Sequence, residues 1–148
     1  MRQEQELLSG AALAVFKLNG QFLALAEDLA GPVGLTAAWW QVLGAVLPAP
    51  LPVAGIAREM GITRQSVQRI ADLLVERGLA EYHDNPAHRR AKLLAPTAEG
   101  RAAIRRIDPG HAAAARALAR RVGRDRLAEL VAALRELSTA MDDVHPRE

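Results

Sequence analysis

Residues 53–82 read VAGIAREMGITRQSVQRIADLLVERGLAEY, and this stretch decides the fold. The first eight residues predict a short helix with Ile56, Ala57 and Met60 on its apolar side. Gly61 supplies a tight turn. Thr63 has the side chain of an N-cap, and a second helix is expected to run from it to about Arg77. Val67, Ile70, Ala71 and Leu74 share one face of that helix. Arg64, Gln65, Gln68, Arg69 and Asp72 share the other. Gly78 is a stop signal. Two short strands are expected next, at 79–83 (LAEYH) and 91–95 (AKLLA), joined by the polar loop DNPAHRR.

Helix, glycine turn, helix and hairpin, in that order, make a winged helix-turn-helix. The first helix of such a unit braces the second, and the second leaves one face free to enter a DNA major groove. The expected contacts on it are Thr63, Arg64, Gln65 and Ser66 at its start, then Gln68 and Arg69. Arg can pair with guanine, and Gln with adenine. His88, Arg89, Arg90 and Lys92 make the hairpin a basic wing, suited to phosphates or the minor groove. An amphipathic helix with Arg and Gln outside is also what any solvated surface helix looks like. The turn, cap, hairpin and wing arginines together favour DNA.

Working outward, residues 3–29 lack proline and repeat apolar side chains at steps of three and four, from Leu8 to Leu29. Gly31-Pro32 and Gly34 end this helix, and Thr36 caps a second one expected at 37–47. Pro48, Pro50 and Pro52 then break the chain. Beyond the hairpin, Thr97 introduces helical segments at 98–107 and 110–122. Asp108-Pro109-Gly110 between them predicts either one long kinked helix or two helices meeting at a corner. A last helix is expected from about Arg124 to Asp142, with Leu127, Leu130, Val131, Leu134, Leu137 and Met141 on its apolar face. The fold class is mainly α with a small β-hairpin wing. The expected organisation is an N-terminal dimerisation helix (1–35), a winged helix-turn-helix (36–97) and C-terminal helices completing the dimerisation region (98–148). The dimer follows from the apolar faces of 3–29 and 124–142, which exceed what one small winged helix can cover.

Composition narrows the function. The 148 residues are half hydrophobic and about a quarter charged, as in ordinary soluble proteins, which points to the cytoplasm. No cysteine is present, so disulfides, thiolate metal sites and thiol nucleophiles are excluded. No unbroken apolar run reaches the roughly 18 residues of a membrane span, so no membrane partner is expected. The net charge is only +2, but residues 53–106 hold ten bases and six acids. A polyanion should meet the chain there. His83, His88, His111 and His145 form no helical i, i+4 pair, and no metal or cofactor is expected. GxSxG, P-loop and GxGxxG patterns are absent, so the chain is read as a non-enzyme with no catalytic residues.

The runs GLTAAWWQVLGAV (34–46), VAGIAREMGITRQSVQRIADLLVERGLAEY and DNPAHRRAKLLAPTAEG (84–100) together resemble the MarR family of bacterial transcriptional regulators. The resemblance implies a homodimer of winged-helix subunits with interleaved terminal helices. It also implies a pseudo-palindromic double-stranded operator, often released by a small ligand. It places Thr63 to Arg69 on the recognition helix, Arg89 and Arg90 at the wing tip, and Asp84 as the acid that steadies a wing arginine. Where the family has Leu-Thr, this chain has Ala95-Pro96-Thr97, which is expected to shift the joint between wing and helix.

Trp39 and Trp40 are adjacent on one helix and point about 100° apart. One is expected in the core. The other, with Phe16, would line the cleft in which the family holds effectors, and would suit a small aromatic or lipophilic one. All three also suit a plain core role. The rival to DNA-binding regulation by repression is a winged-helix protein-interaction module without specific DNA binding.

Overall fold

The computed structural model describes residues 1–147. The chain divides into two compact units, Met1–Asp108 and Pro109–Glu148. The first unit opens with α1 (Arg2–Ala30) and a 3-10 turn at Gly31–Val33, then α2 (Ala37–Val46), β1 (Leu51–Pro52), α3 (Val53–Met60) and α4 (Arg64–Glu76). β2 (Ala80–His83) and β3 (Leu93–Pro96) form the wing, and α5 (Ala98–Val122) follows. In the second unit α5 ends at Val122, and α6 (Arg124–Val144) follows Gly123.

Capping explains the helix starts. The Thr36 hydroxyl accepts the Trp39 N–H at 3.1 Å, and the Glu27 carboxylate of α1 accepts the Ala37 N–H at 3.0 Å. A negative group at that position also favours the positive end of α2. Thr63 accepts the Ser66 N–H at 3.1 Å. Caps of this kind contribute about 1 kcal/mol each. Between α3 and α4 the backbone turns through Gly61 at φ 67°, a left-handed conformation that costs other residues about 1–2 kcal/mol. The side chains meeting in the core are Val42, Leu43 and Val46 of α2, Ile56 of α3, Val67, Ile70 and Leu74 of α4, Leu94 of β3, and Ile104 and Ile107 of α5. The inner face of α4 is the one the periodicity of the sequence picks out.

Two findings differ from the sequence expectation, and another decides between alternatives it left open. The wing is a three-stranded antiparallel sheet in the order β1-β3-β2, with Leu51 opposite Leu94 and Tyr82 opposite the same residue from the other side. β1 has two residues, one a proline, and holds an edge where proline's missing N–H does no harm. Pro96 is the last residue of β3, opposite Ala80, so the extra proline is absorbed into the sheet. The second finding is that, of the two alternatives at Asp108-Pro109-Gly110, the structure has one helix, α5, with Pro109 inside it, although the boundary between the two compact units falls there. Arg105, Arg106, Asp108, Pro109 and Gly110 are all exposed, so water can take the carbonyl that proline leaves without its donor. The third is that α1 is, by length and average hydropathy, apolar enough to cross a membrane. An unbroken apolar run is too strict a sign of this, because Lys17, Asn19 and Gln21 interrupt the run without lowering the average enough.

Apolar side chains of α1 remain uncovered. Leu8, Leu13, Phe16 and Phe22 are each more than half exposed, Phe16 at 70%. On α6, Leu130, Val131, Leu134, Leu137 and Met141 are exposed along one face.

Candidate nucleic-acid interface

The outer face of α4 and the inner side of the wing enclose an open groove of about 560 Å³. Arg64, Gln65 and Gln68 line it from the helix, Tyr82 from β2, and Arg90 and Lys92 from the segment before β3. Three cations and no acid line the groove, which makes its lining basic, with the Asp72 carboxylate hydrogen-bonded to Gln68 and Tyr82 beside it. Arg64, Arg90 and Lys92 are exposed and form no ion pair among the described residues. Arg69 lines a second, shallower depression along α4 with Asp72 and Glu76.

The remaining candidate residues are placed differently. Thr63 and Ser66 are occupied with each other, since the Thr63 hydroxyl donates to Ser66 Oγ at 2.9 Å while capping the helix. His88 and Arg89 are exposed at the wing tip and do not line the groove. The tip is shaped by Asn85, whose side chain accepts the Ala87 N–H at 3.0 Å and whose carbonyl accepts the His88 N–H at 3.1 Å. Asp84 pairs with neither wing arginine among the described residues. Phe16 stands exposed on α1, whereas Trp39 and Trp40 are half-buried against the core. The Arg77 guanidinium lies 5.5 Å from the centre of the Trp39 ring, within cation–π range.

One feature of the groove has no counterpart among the sequence expectations. The Tyr82 hydroxyl donates to Asp72 Oδ1 at 2.6 Å, and Gln68 Nε2 donates to Asp72 Oδ1 at 3.0 Å and to the Tyr82 oxygen at 2.9 Å. This trio ties the outer face of α4 to the wing. Burial, together with the hydrogen bond and the negative charge of Asp72, pushes the Tyr82 hydroxyl up to about 12 from 10.0. A raised tyrosine favours the neutral form in the folded state. Its contribution to stability is therefore whole below pH 10 and fades as the pH rises from about 10 to about 12. The i, i+4 spacing of Gln68 and Asp72 is visible in the sequence, but their link to Tyr82 is tertiary.

A helix with one exposed polar face, braced by a second helix and flanked by a basic antiparallel wing, defines a winged helix-turn-helix fold. Residues 33–91 match the model of the MarR family. Uncharacterised proteins of Mycobacterium tuberculosis and Mycobacterium bovis are each 44% identical over 93 residues, 63% of this chain and 65% of theirs. The matched region thus spans less than two thirds of the length of these curated relatives. A solved MarR family transcription regulator superposes with a TM-score of 0.77 at 21% identity, covering 100% of this chain and 99% of that one. The transcriptional repressor CouR, bound to a 23-mer DNA duplex, superposes with a TM-score of 0.74 at 28% identity, covering 84% of this chain and 89% of its own. CouR from Rhodococcus jostii bound to p-coumaroyl-CoA gives 0.67 at 25% identity, covering 93% and 94%. The chain has the fold of MarR-type transcriptional regulators.

Proposed function

We propose that the chain is a transcriptional repressor that binds a pseudo-palindromic operator as a homodimer in the cytoplasm and is released by a small ligand. The observation that carries this reading is the groove in which Arg64, Arg90 and Lys92 converge beside the exposed amides of Gln65 and Gln68. Cations without acid partners suit phosphates, and neighbouring amides suit base edges. CouR, at 28% identity, carries a DNA duplex on the same fold, which supports the same use here. The chain is read as a binding protein rather than an enzyme.

Dimerisation accounts for the uncovered faces of α1 and α6. The stripe on α1 is interrupted by Lys17, Asn19, Gln21 and Glu27, polar groups that a second copy can leave in water and a bilayer cannot. A two-fold pair would set two α4 helices about 34–36 Å apart, one turn of DNA. The winged unit (36–97) would then read DNA while 1–35 and 98–148 hold the pair together. With about three phosphates neutralised per subunit, the log–log salt dependence of binding is expected to have a slope near −5.

The experiment is fluorescence anisotropy on labelled DNA from upstream of the chain's own gene, against scrambled DNA, across a salt series. Preference for its own DNA by about 10³-fold or more is the expected result. Absence of binding at low salt would sink the reading and favour a protein-interaction module. For the ligand, the supporting features are the half-buried Trp39 and Trp40, the cation of Arg77 over Trp39, and the exposed ring of Phe16. They suit a small aromatic or lipophilic effector. A compound that releases the DNA is expected to change tryptophan emission, and release with emission unmoved would place the effector elsewhere.

A further inference from the structure

We infer that Tyr82 and Asp72 are positioning residues whose hydrogen bond clasps the wing to α4, and so sets Arg90 and Lys92 where they meet one DNA duplex together with Arg64. The inference rests on the DNA reading above and deepens it. The Tyr82 hydroxyl donates to Asp72 Oδ1 at 2.6 Å. Both partners are held from behind. Asp72 lies on α4, whose inner residues fill the core, and the Tyr82 ring packs against that core from β2, opposite Leu94 of β3. An ionised carboxylate can only accept and the hydroxyl has one hydrogen to give, so the bond has a single sense. Its acceptor is charged, which puts it among the stronger hydrogen bonds. One hydrogen of Gln68 Nε2 is shared between the same two oxygens, at 3.0 and 2.9 Å, which leaves the other hydrogen and the amide oxygen for DNA.

The place of this bond in the wing gives it its consequence. On one edge of the sheet, β1 pairs with β3 as far as Leu93. On the other edge, the backbone bonds to α4 sit at the base of the wing, from Gly78 to Val75 and from Leu79 to Leu74. Towards the tip, Tyr82 makes the outermost hydrogen bonds from β2 to the helix-turn-helix among the described residues. The hydrogen bonds of the loop beyond it stay within the loop, from Ala87 and His88 to Asn85 and from Ala91 to His88. Arg90 and Lys92 therefore ride on a segment whose approach to α4 is set by β2, and β2 is fastened by Tyr82. A carboxylate on the outer face of α4 repels phosphate. Its bond to Tyr82 is what it does there. Without that bond the wing is free to swing from α4, and DNA must first select the closed position. Tyr82 keeps its proton far into the alkaline range, so the clasp is closed through neutral pH.

The test measures low-salt binding to DNA from upstream of the chain's own gene, and backbone hydrogen exchange, on the full chain and on Tyr82→Phe, Asp72→Ala and Asp72→Asn. Tyr82→Phe keeps the ring and loses the bond. If the freed wing holds its closed position about a third of the time, affinity falls about threefold per subunit and about tenfold for the pair. Asp72→Ala and Asp72→Asn remove the same charge, but Asp72→Asn still offers the Tyr82 hydroxyl an acceptor. Asp72→Asn is expected to bind at least as tightly as the wild type, and Asp72→Ala about tenfold more weakly than Asp72→Asn. A double-mutant cycle separates positioning from general loosening. In a chain already carrying Arg89→Ala, Arg90→Ala and Lys92→Ala, Tyr82→Phe should cost no further affinity, because the wing has no arginine or lysine left to place. The same loss in both backgrounds would overturn the proposal, and so would wild-type affinity in Tyr82→Phe. Without DNA, the amides of β2 and of residues 84–92 should exchange several-fold faster in Tyr82→Phe and Asp72→Ala than in the wild type and Asp72→Asn. Equal exchange in all of them would show that nothing is clasped, and would overturn it too. A wild type that binds no DNA would overturn the DNA reading and this inference with it, and the exchange rates then show whether the clasp itself is real.

Discussion

Alanine at Arg64, Arg69, Arg89 and Arg90 together is expected to weaken operator binding by a thousandfold or more and to leave the fold intact. The four side chains are exposed and form no ion pair among the described residues, so their loss leaves no buried charge without a partner. Exposed substitutions of this kind change stability by about 0.5 kcal/mol or less each. On DNA the arithmetic runs the other way. A dimer loses eight cations, and if half of them touch phosphate or guanine at about 1 kcal/mol each, the loss is about 4 kcal/mol, or roughly a thousandfold. The salt dependence should flatten with it, because fewer counterions are released when the variant binds. Anisotropy across a salt series and a thermal melt measure the two halves. Wild-type affinity in a folded variant would remove DNA from the proposed function. Loss of the melt would mean that the arginines hold the fold rather than the ligand.

The helix-turn-helix is legible in the sequence because each of its signals is local. Thr36 and Thr63 cap helices through bonds that span three residues. Gly61 adopts the left-handed turn, and the 3.6 period of Val67, Ile70, Ala71 and Leu74 puts all four in the core. What was not legible depends on partners distant in sequence. Leu51–Pro52 carries no strand signal of its own and is a strand only because β3 lies beside it. At Pro109 the sequence leaves one kinked helix and two helices open, and exposed surroundings let a single helix carry on past it. In the groove the exposed residues of α4 could be named from their spacing. That Gln68 is tied to both Asp72 and Tyr82 could not, because Tyr82 arrives from β2. Nor does spacing tell that Arg64 and Arg90 face one groove while Arg89 does not line it.

The largest stability effect is expected from a single methyl group. Gly100→Ala should destabilise the folded chain by about 3 kcal/mol or more, although alanine is the better helix former by about 1 kcal/mol. Gly100 is buried in the first turn of α5, and a Cβ built there overlaps the Leu79 carbonyl oxygen and lies 3.1 Å from its carbon. Neither atom is the end of a flexible side chain. The Leu79 oxygen accepts the Thr97 N–H at 3.1 Å. The Thr97 hydroxyl donates to the Gly78 carbonyl at 2.6 Å and accepts the Gly100 N–H at 3.1 Å. Pushing α5 away from Leu79 would stretch all of these together and withdraw Ala103, Ile104 and Ile107 from the core they help to fill. Gly44→Ala in α2 is the matched control, since its added Cβ meets nothing within 4 Å. Propensity alone should make that variant more stable, by up to about 1 kcal/mol. Urea unfolding of the two variants at one fixed protein concentration decides the matter. Opposite signs confirm that backbone contact at Leu79, not helix propensity, requires the glycine. A gain at both positions would show that α5 does not need its close approach to the wing.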